Sequence, residues 1–405
     1  MWILISLFGL SLAVVAWSCF GYYVHLRLVA LLRPREENAL DCPNLPLVSV
    51  VVPCLDEREQ IVEKYHNLRD QGYPKDRLEI VFADGGSRDD TLDLLERQAA
   101  DDPTVKIIRC PKPGKVNQLN YVLPQLRGEI VVNTDTDGRM EPDTLSELVR
   151  EFYRDPRVDV VGAFTYPSDA LDIEQCYWLG QNRGRLLETD YHAASIVIAV
   201  CYAFRRSLIE KFPDDVVADD IHVAFEANTR GRRAIYSRRA VVRETRGPRS
   251  LWEFFPHKFR KSNAFLREML RFLYRLPEMP RGWRLIYASK LLQLSLLPIA
   301  GLLVLLVAGS LLTLGRYDVV IMGFAFLLAL FAITVGVFHS VKVPAGPTAF
   351  DLATFFRTFV YSNVIMLLTG LSYPFYHQTS RYRRLAARPA EQPNETEQAV
   401  DHETP

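Results

Sequence analysis

The stretch EIVVNTDTDG, residues 129–138, decides how the chain is read. It opens as a continuous apolar, β-branched run, the pattern of a strand buried on both faces. It closes in an Asp-x-Asp, Asp135 and Asp137, where the strand gives way to a loop. Two carboxylates gathered at the end of a buried strand repel one another unless a cation joins them. Mg²⁺ or Mn²⁺, held by one or two carboxylates together with substrate phosphates, suits that donor set of hard oxygens.

The same character recurs on both sides of this stretch. LVSVVVP (47–53), EIVFAD (79–84), VKIIRC (105–110) and VDVVGAF (158–164) read as strands, and residues 57–71, 90–101, 115–126 and 142–154 carry helical patterns between them. Strands alternating with helices of this length predict an α/β fold with a mostly parallel sheet and helices on both faces. In such sheets ligands bind beyond the carboxyl ends of the strands. Asp56 with Glu57, Asp84, and Asp135 with Asp137 all fall at those ends, so three acidic clusters converge on one edge. Taken singly, each acid has a helix-capping alternative, as Asp89 and Asp90 do in DGGSRDDT. PGKVNQLN (113–120) adds a Gly-Lys turn opening a helix whose N-terminus and Lys115 can face a phosphate, without the frame of a P-loop.

Farther out the chain turns apolar. Residues 2–24 are uncharged and long enough to cross a bilayer, which predicts a retained N-terminal anchor rather than a cleaved signal peptide. Arg27, Arg33 and Arg35 follow it and by the positive-inside rule place the next domain in the cytoplasm. Residues 287–314 and 319–341 are also long enough to span. Residues 355–375 form a weaker candidate, interrupted by Arg357, Ser362 and Asn363, and its status decides the side on which Arg381, Arg383, Arg384 and Arg388 lie. The expected organisation is an anchor over 1–25, a cytosolic catalytic domain over 46–247, and interfacial amphipathic helices over 248–284. A transmembrane region over 285–375, with two secure spans and a third left open, and a disordered tail over 388–405 complete it. The protein is then expected in the cell membrane, multi-pass, with its catalytic domain cytoplasmic.

The 405 residues carry 48 basic and 48 acidic side chains, so the electrostatic footprint of nonspecific nucleic-acid binding is missing and no nucleic-acid partner is expected. The six cysteines show neither CxxC nor a Cys/His ligand spacing, which argues against a disulfide framework or a structural zinc site.

In order along the chain, SVVVPCLDE (49–57), ADGGSRDDT (83–91), PGKVNQLN, NTDTDG (133–138) and VVADDIHVAFEANTRGRRAIY (216–236) resemble the motifs of membrane-bound family 2 glycosyltransferases. That resemblance implies the GT-A fold and inversion at the anomeric carbon. It puts Pro53 and Glu57 in the nucleotide-sugar-binding opening loop, Asp84 on the nucleoside, Lys115 on the base or phosphate side, Asp135 at the ribose and metal, and Asp137 on the divalent cation. Asp220 would be the general base that receives the acceptor's proton as the hydroxyl attacks the sugar. Asp219, His257 and Arg260 would face the acceptor or the diphosphate. Two departures stand out. Leu55 occupies a place often aromatic in the family, and FPHKFRKSN (255–263) has His257, Arg260 and Lys261 where processive synthases have Gln-x-x-Arg-Trp. The basic residues of this stretch have a second reading as the charged face of an interfacial helix.

The function so implied is transfer of a sugar from a nucleotide-diphosphate donor to a hydroxyl of a lipid-linked glycan or polysaccharide at the cytoplasmic membrane face. Loss of the stacking tryptophan predicts short products. The implied partners are the nucleotide-diphosphate sugar, the acceptor and the lipid bilayer, with synthase partner subunits as a further class. The alternatives are a polyprenyl-phosphate glycosyltransferase, whose acceptor needs little base help, and a non-catalytic scaffold subunit of a polysaccharide synthase. The pair Asp219 and Asp220 favours a hydroxyl acceptor.

Overall fold

In the computed structural model, which describes residues 1–32 and 45–376, the β-branched runs form the centre of one mixed sheet. Its strands are β1 (Val48–Cys54), β2 (Leu78–Asp84), β3 (Val105–Arg109), β4 (Ile130–Thr134), β5 (Gly138–Met140), β6 (Val158–Pro167), β7 (Cys201–Arg205) and β8 (Arg233–Glu244). They lie in the order β3-β2-β1-β4-β7-β6-β8-β5. The pairings β1–β2, β1–β4, β2–β3 and β6–β8 are parallel, whereas β7 runs antiparallel to β4 and β6, and β5 to β8. The parallel half is the part expected from the alternation of strands and helices. The antiparallel strands β5 and β7 and the long β8 extend it.

The helices are α1 (Trp2–Ala16), α2 (Tyr22–Leu32), α3 (Ile61–Arg69), α4 (Thr91–Ala99), α5 (Lys115–Val122), α6 (Thr144–Arg154), α7 (Asp172–Tyr191), α8 (Asp219–Thr229), α9 (Leu251–Phe272), α10 (Arg281–Ser295), α11 (Leu297–Thr313), α12 (Tyr317–Ser340) and α13 (Leu352–Ser372). Successive side chains of a strand alternate between faces. Val48, Val50 and Val52 therefore pack with Ile61 of α3, Leu95 of α4, Leu148 of α6 and Leu186 of α7, while Val51 packs with Leu119 of α5 and Val223 of α8. The other face of α8 buries Ile221 and Phe225 against Met269 of α9 and Trp283 of α10.

Among the described residues three helices are long and apolar enough to cross a bilayer: α1 joined to α2 through a π-helical turn, α12 and α13. The stretch 287–314, read from the sequence as a secure span, is bent within its length, and its two helices together are apolar enough to span. Helices α10 and α11 meet at 53°. Pro298, in the first turn of α11, has no N–H and is tolerated only at a helix start. In addition, Lys290 of α10 is drawn to Glu188 of α7 (Nζ–Oε1 2.8 Å), which also accepts from the Tyr22 hydroxyl at 2.8 Å. Helix α13 is continuous through the stretch left open, because its polar groups find local partners. Asn363 donates to the Phe359 carbonyl at 2.9 Å, and Arg357 pairs with Asp172 at 2.7 Å. Arg33, Arg35, Cys42, the four arginines between 381 and 388 and the tail 388–405 lie outside the described residues.

Candidate active site

The loops after β1 and β2 are tied together. Asp56 has φ 53°, in the left-handed region, and is held there by both ends: its N–H donates to Ser87 Oγ (2.9 Å), and the Arg88 N–H donates to its Oδ1 (2.7 Å). Glu57 N–H donates to Thr91 Oγ1 at 2.7 Å. Asp84, 1% exposed, accepts from the Gly86 N–H (2.9 Å) and the Ser87 hydroxyl (2.5 Å). Its carboxylate fastens this turn, and Gly85 and Gly86, rather than Asp84 itself, line the cavity beyond it. Gln118 of α5 locks the arrangement from behind by donating to the Cys54 and Ala83 carbonyls (2.8 and 2.7 Å).

Lys115, the first residue of α5, reaches across the strand ends. Its Nζ lies 2.7 Å from Asp135 Oδ1, 3.1 Å from the Ala199 carbonyl and 3.4 Å from Asp219 Oδ2. Burial works against the ammonium, but Asp135 and Asp219 hold it well above the ordinary lysine range. Asp219 also accepts from the Tyr202 hydroxyl at 2.7 Å, which leaves Asp220 as the acid of the pair less engaged. Asp220 Oδ2 accepts from the Ala199 N–H at 3.0 Å. Burial and then Asp219 push its carboxyl up to about 6.

The Asp-x-Asp forms the turn between β4 and β5. Gly138 is required at its exit, since a Cβ there would meet the Val200 side chain at 2.9 Å. Asp137 Oδ1 is buried with no hydrogen-bond partner, and burial followed by Asp135 raises the carboxyl to about 6. A buried carboxylate oxygen without a partner, beside a second carboxylate, fits a divalent cation. No group of three or more His, Cys, Asp or Glu side chains stands ready for a metal among the described residues, so a cation here would draw its remaining ligands from phosphate oxygens or water.

Three charged groups of this region were not foreseen. Lys64 of α3, fully buried, donates to Thr134 Oγ1 (2.8 Å) and the Gly138 carbonyl (2.6 Å), bracketing the Asp-x-Asp turn from below. Burial lowers its ammonium to about 7. Its place three residues after the core residue Ile61, on the buried face of its helix, was the available signal. Arg246, just past β8, pairs with Glu57 at 2.7 Å, and Thr245 donates its N–H to the Asp137 carbonyl at 3.0 Å. Glu244 is raised to about 7 by burial, with Asp137 adding to it and Lys261 opposing. No spacing in the sequence connects residues 244–246 to the acids they approach.

One continuous cavity of 2370 Å³ joins these groups. It is lined by Pro53, Glu57, Lys115, Asp135, Asp137, Asp219 and Asp220, by His257, Arg260 and Lys261 of α9, and by Phe331 of α12 and Phe355 of α13. The basic stretch of α9 thus faces inward. Lys258 is buried in an ion pair with Glu174 (2.8 Å), and burial and then Lys261 hold His257 well below its ordinary value.

A half-parallel, half-antiparallel sheet with carboxylates gathered at the strand ends is the arrangement of a GT-A-type glycosyltransferase domain. Residues 49–213 match the model of glycosyl transferase family 2. It is 26% identical over 257 residues to an N-acetylglucosaminyltransferase of Rhizobium leguminosarum bv. viciae, covering 58% of this chain and 60% of the relative. It is 33% identical over 121 residues to an undecaprenyl-phosphate 4-deoxy-4-formamido-L-arabinose transferase of Pseudomonas syringae pv. syringae, covering 29% and 35%. Among solved structures, a mannosyltransferase from Pyrobaculum calidifontis in complex with GDP-Man and Mn²⁺ shares the fold with a TM-score of 0.68 and 23% identity, over 91% of this chain and 99% of that one.

Proposed function

We propose that the protein is an inverting glycosyltransferase that moves a sugar from a nucleotide-diphosphate donor to a hydroxyl of a lipid-linked acceptor at the cytoplasmic membrane face. The observation that carries this reading is the cavity, in which Asp220 and the Asp-x-Asp turn open onto the same space as helices α12 and α13.

The geometry supports the following roles. The paired loops after β1 and β2, with Pro53, Glu57 and the turn fastened by Asp84, receive the nucleoside. A divalent cation, Mg²⁺ or Mn²⁺, bound at Asp135 and Asp137 would offset the charge on the departing diphosphate. Lys115 orients Asp135 and Asp219 and lends positive charge to the phosphate side. Asp220, held by the Ala199 N–H through one oxygen, takes the acceptor's proton on the other. A carboxyl at about 6 is mostly ionised at neutral pH yet basic enough to accept that proton. Inversion follows when the hydroxyl attacks the face opposite the diphosphate. His257 and Arg260 lie on the path from this point to the membrane helices.

The names of the relatives support a lipid acceptor and place N-acetylglucosamine among the donors to try first. Arg27, Arg33 and Arg35 after the first apolar helix support the cytoplasmic placement. The test is incubation of membranes containing the full chain with a panel of radiolabelled nucleotide sugars, separating organic-extractable product from polymer. Label appearing in polymer alone would remove the lipid acceptor.

A further inference from the structure

Between the catalytic acids and the membrane helices the cavity carries positive charge that its own walls do not neutralise. Lys258 is matched by Glu174, but Lys261, one turn's breadth away on α9, makes no hydrogen bond or ion pair among the described residues. Its Nζ stands 5.3 Å from the centre of the Trp178 ring. On helix α7, Arg185 lines the same cavity beside the same Trp178 ring, and its buried Nε has no hydrogen-bond partner. Arg185 is 4% exposed and is packed over Trp178 and Tyr236, 5.4 and 5.6 Å from their ring centres. Two acids feel the charge of Lys261 without bonding it: Glu244, which also stands beside Asp137, and Asp220.

Cations held out of water are costly without an anionic partner, and donors left unpaired in a buried site point to a ligand that completes them. The donor's diphosphate belongs at the other end, with Lys115 and the Asp-x-Asp turn. The same cavity is lined by Phe331, Phe355 and Phe359 on helices of membrane-spanning length. A ligand that suits both parts is an anion attached to a hydrocarbon chain.

Building on the transferase reading above, we propose that this section binds the phosphate or diphosphate headgroup of the acceptor lipid through Lys261 and Arg185, with the hydrocarbon chain lying between α12 and α13. The acceptor is then an anionic, phosphate-bearing lipid rather than a neutral one. Phosphate contacts fix its depth in the cavity and so the distance of its reacting group from Asp220.

The test is equilibrium binding to the full chain in lipid nanodiscs, with farnesyl phosphate, farnesol and inorganic phosphate as probes and UDP and GDP as controls. Charge-assisted hydrogen bonds should make farnesyl phosphate bind about tenfold or more tighter than farnesol. Inorganic phosphate in excess should not displace it. Lys261→Met should reduce farnesyl phosphate to the affinity of farnesol and leave nucleotide affinity unchanged, and Lys261→Arg should restore the preference. Equal affinity for farnesyl phosphate and farnesol in the unmodified protein overturns the proposal. So does displacement by inorganic phosphate at comparable concentration, or a Lys261→Met variant that loses nucleotide binding as well. The first comparison needs no variant and decides the matter if Lys261→Met does not fold. Failure to turn over any nucleotide sugar would instead defeat the transferase reading and leave these binding outcomes standing.

Discussion

Replacing Asp220 with asparagine should stabilise the protein while nearly abolishing its activity. The Asp220 carboxyl sits at about 6 instead of 3.8, through burial and the neighbouring Asp219, against the pull of Lys115. A difference of about two units corresponds to roughly 3 kcal/mol of preference for the protonated form in the folded state. Asp220 is only half-buried, so solvent screening reduces the realised value to about 1–2 kcal/mol. Because the folded value is raised, the stability it contributes is complete below the unfolded value near 4 and is lost as the pH rises through about 6. Asparagine removes that loss and can still accept from the Ala199 N–H through its amide oxygen. The variant should therefore unfold a few degrees higher at pH 7.5 and at the same temperature as the parent at pH 4. Turnover should fall by about 10² to 10⁴, with donor affinity kept. Thermal unfolding in detergent across pH 4 to 7.5, with transfer rates alongside, measures both. An unfolding temperature unchanged or lowered at pH 7.5, or a gain of the same size at pH 4, would refute the reasoning.

Other changes test other parts of the site. Asp137→Ala should abolish metal-dependent nucleotide binding, measured by titration with and without Mn²⁺; full activity in the presence of a chelator would count against the metal role. Lys64→Met should weaken that same binding by roughly tenfold or more while the far-ultraviolet circular dichroism stays native, because the lysine brackets the turn that carries both acids. Lys115→Met should shift the acid limb of the pH–rate profile upward from its midpoint near 6, since the ammonium lowers Asp220. A one-unit shift would take the ionised fraction at pH 7 from about nine tenths to about one half. An unmoved limb would detach Lys115 from the base.

The parallel half of the sheet was legible because β1, β2 and β4 are buried on both faces, which writes them as uninterrupted β-branched runs. The rest was masked by polar burial and short elements. Helix α7 buries Asn182, Arg185 and Glu188, paired to Thr165, Trp178 and Lys290, so its apolar periodicity is weak where its packing is strong. Strand β5 has three residues, and β8 exposes Arg238 and Arg239 in mid-strand near a register shift. At the site, Lys115, Asp135, Asp137, Asp219 and Asp220 stood out by motif and line one cavity. Lys64 is marked only by its place on the buried face of α3, and Arg246 comes into place through the end of β8, which no local pattern records. The broken span at Leu296 shows the same limit. Composition described 287–314 as apolar, but Pro298 and the Lys290–Glu188 pair decide where that segment bends and docks.

The most direct test of the transferase reading follows radiolabel from nucleotide sugar into lipid. Membranes bearing the full chain and membranes bearing Asp220→Asn are incubated with the same donors and Mn²⁺, and the organic-extractable label is quantified. The expected result is labelled lipid from at least one donor, lost on chelation and reduced at least about a hundredfold in the variant. Labelled lipid formed equally by both preparations, or no labelled lipid from any donor, would contradict it.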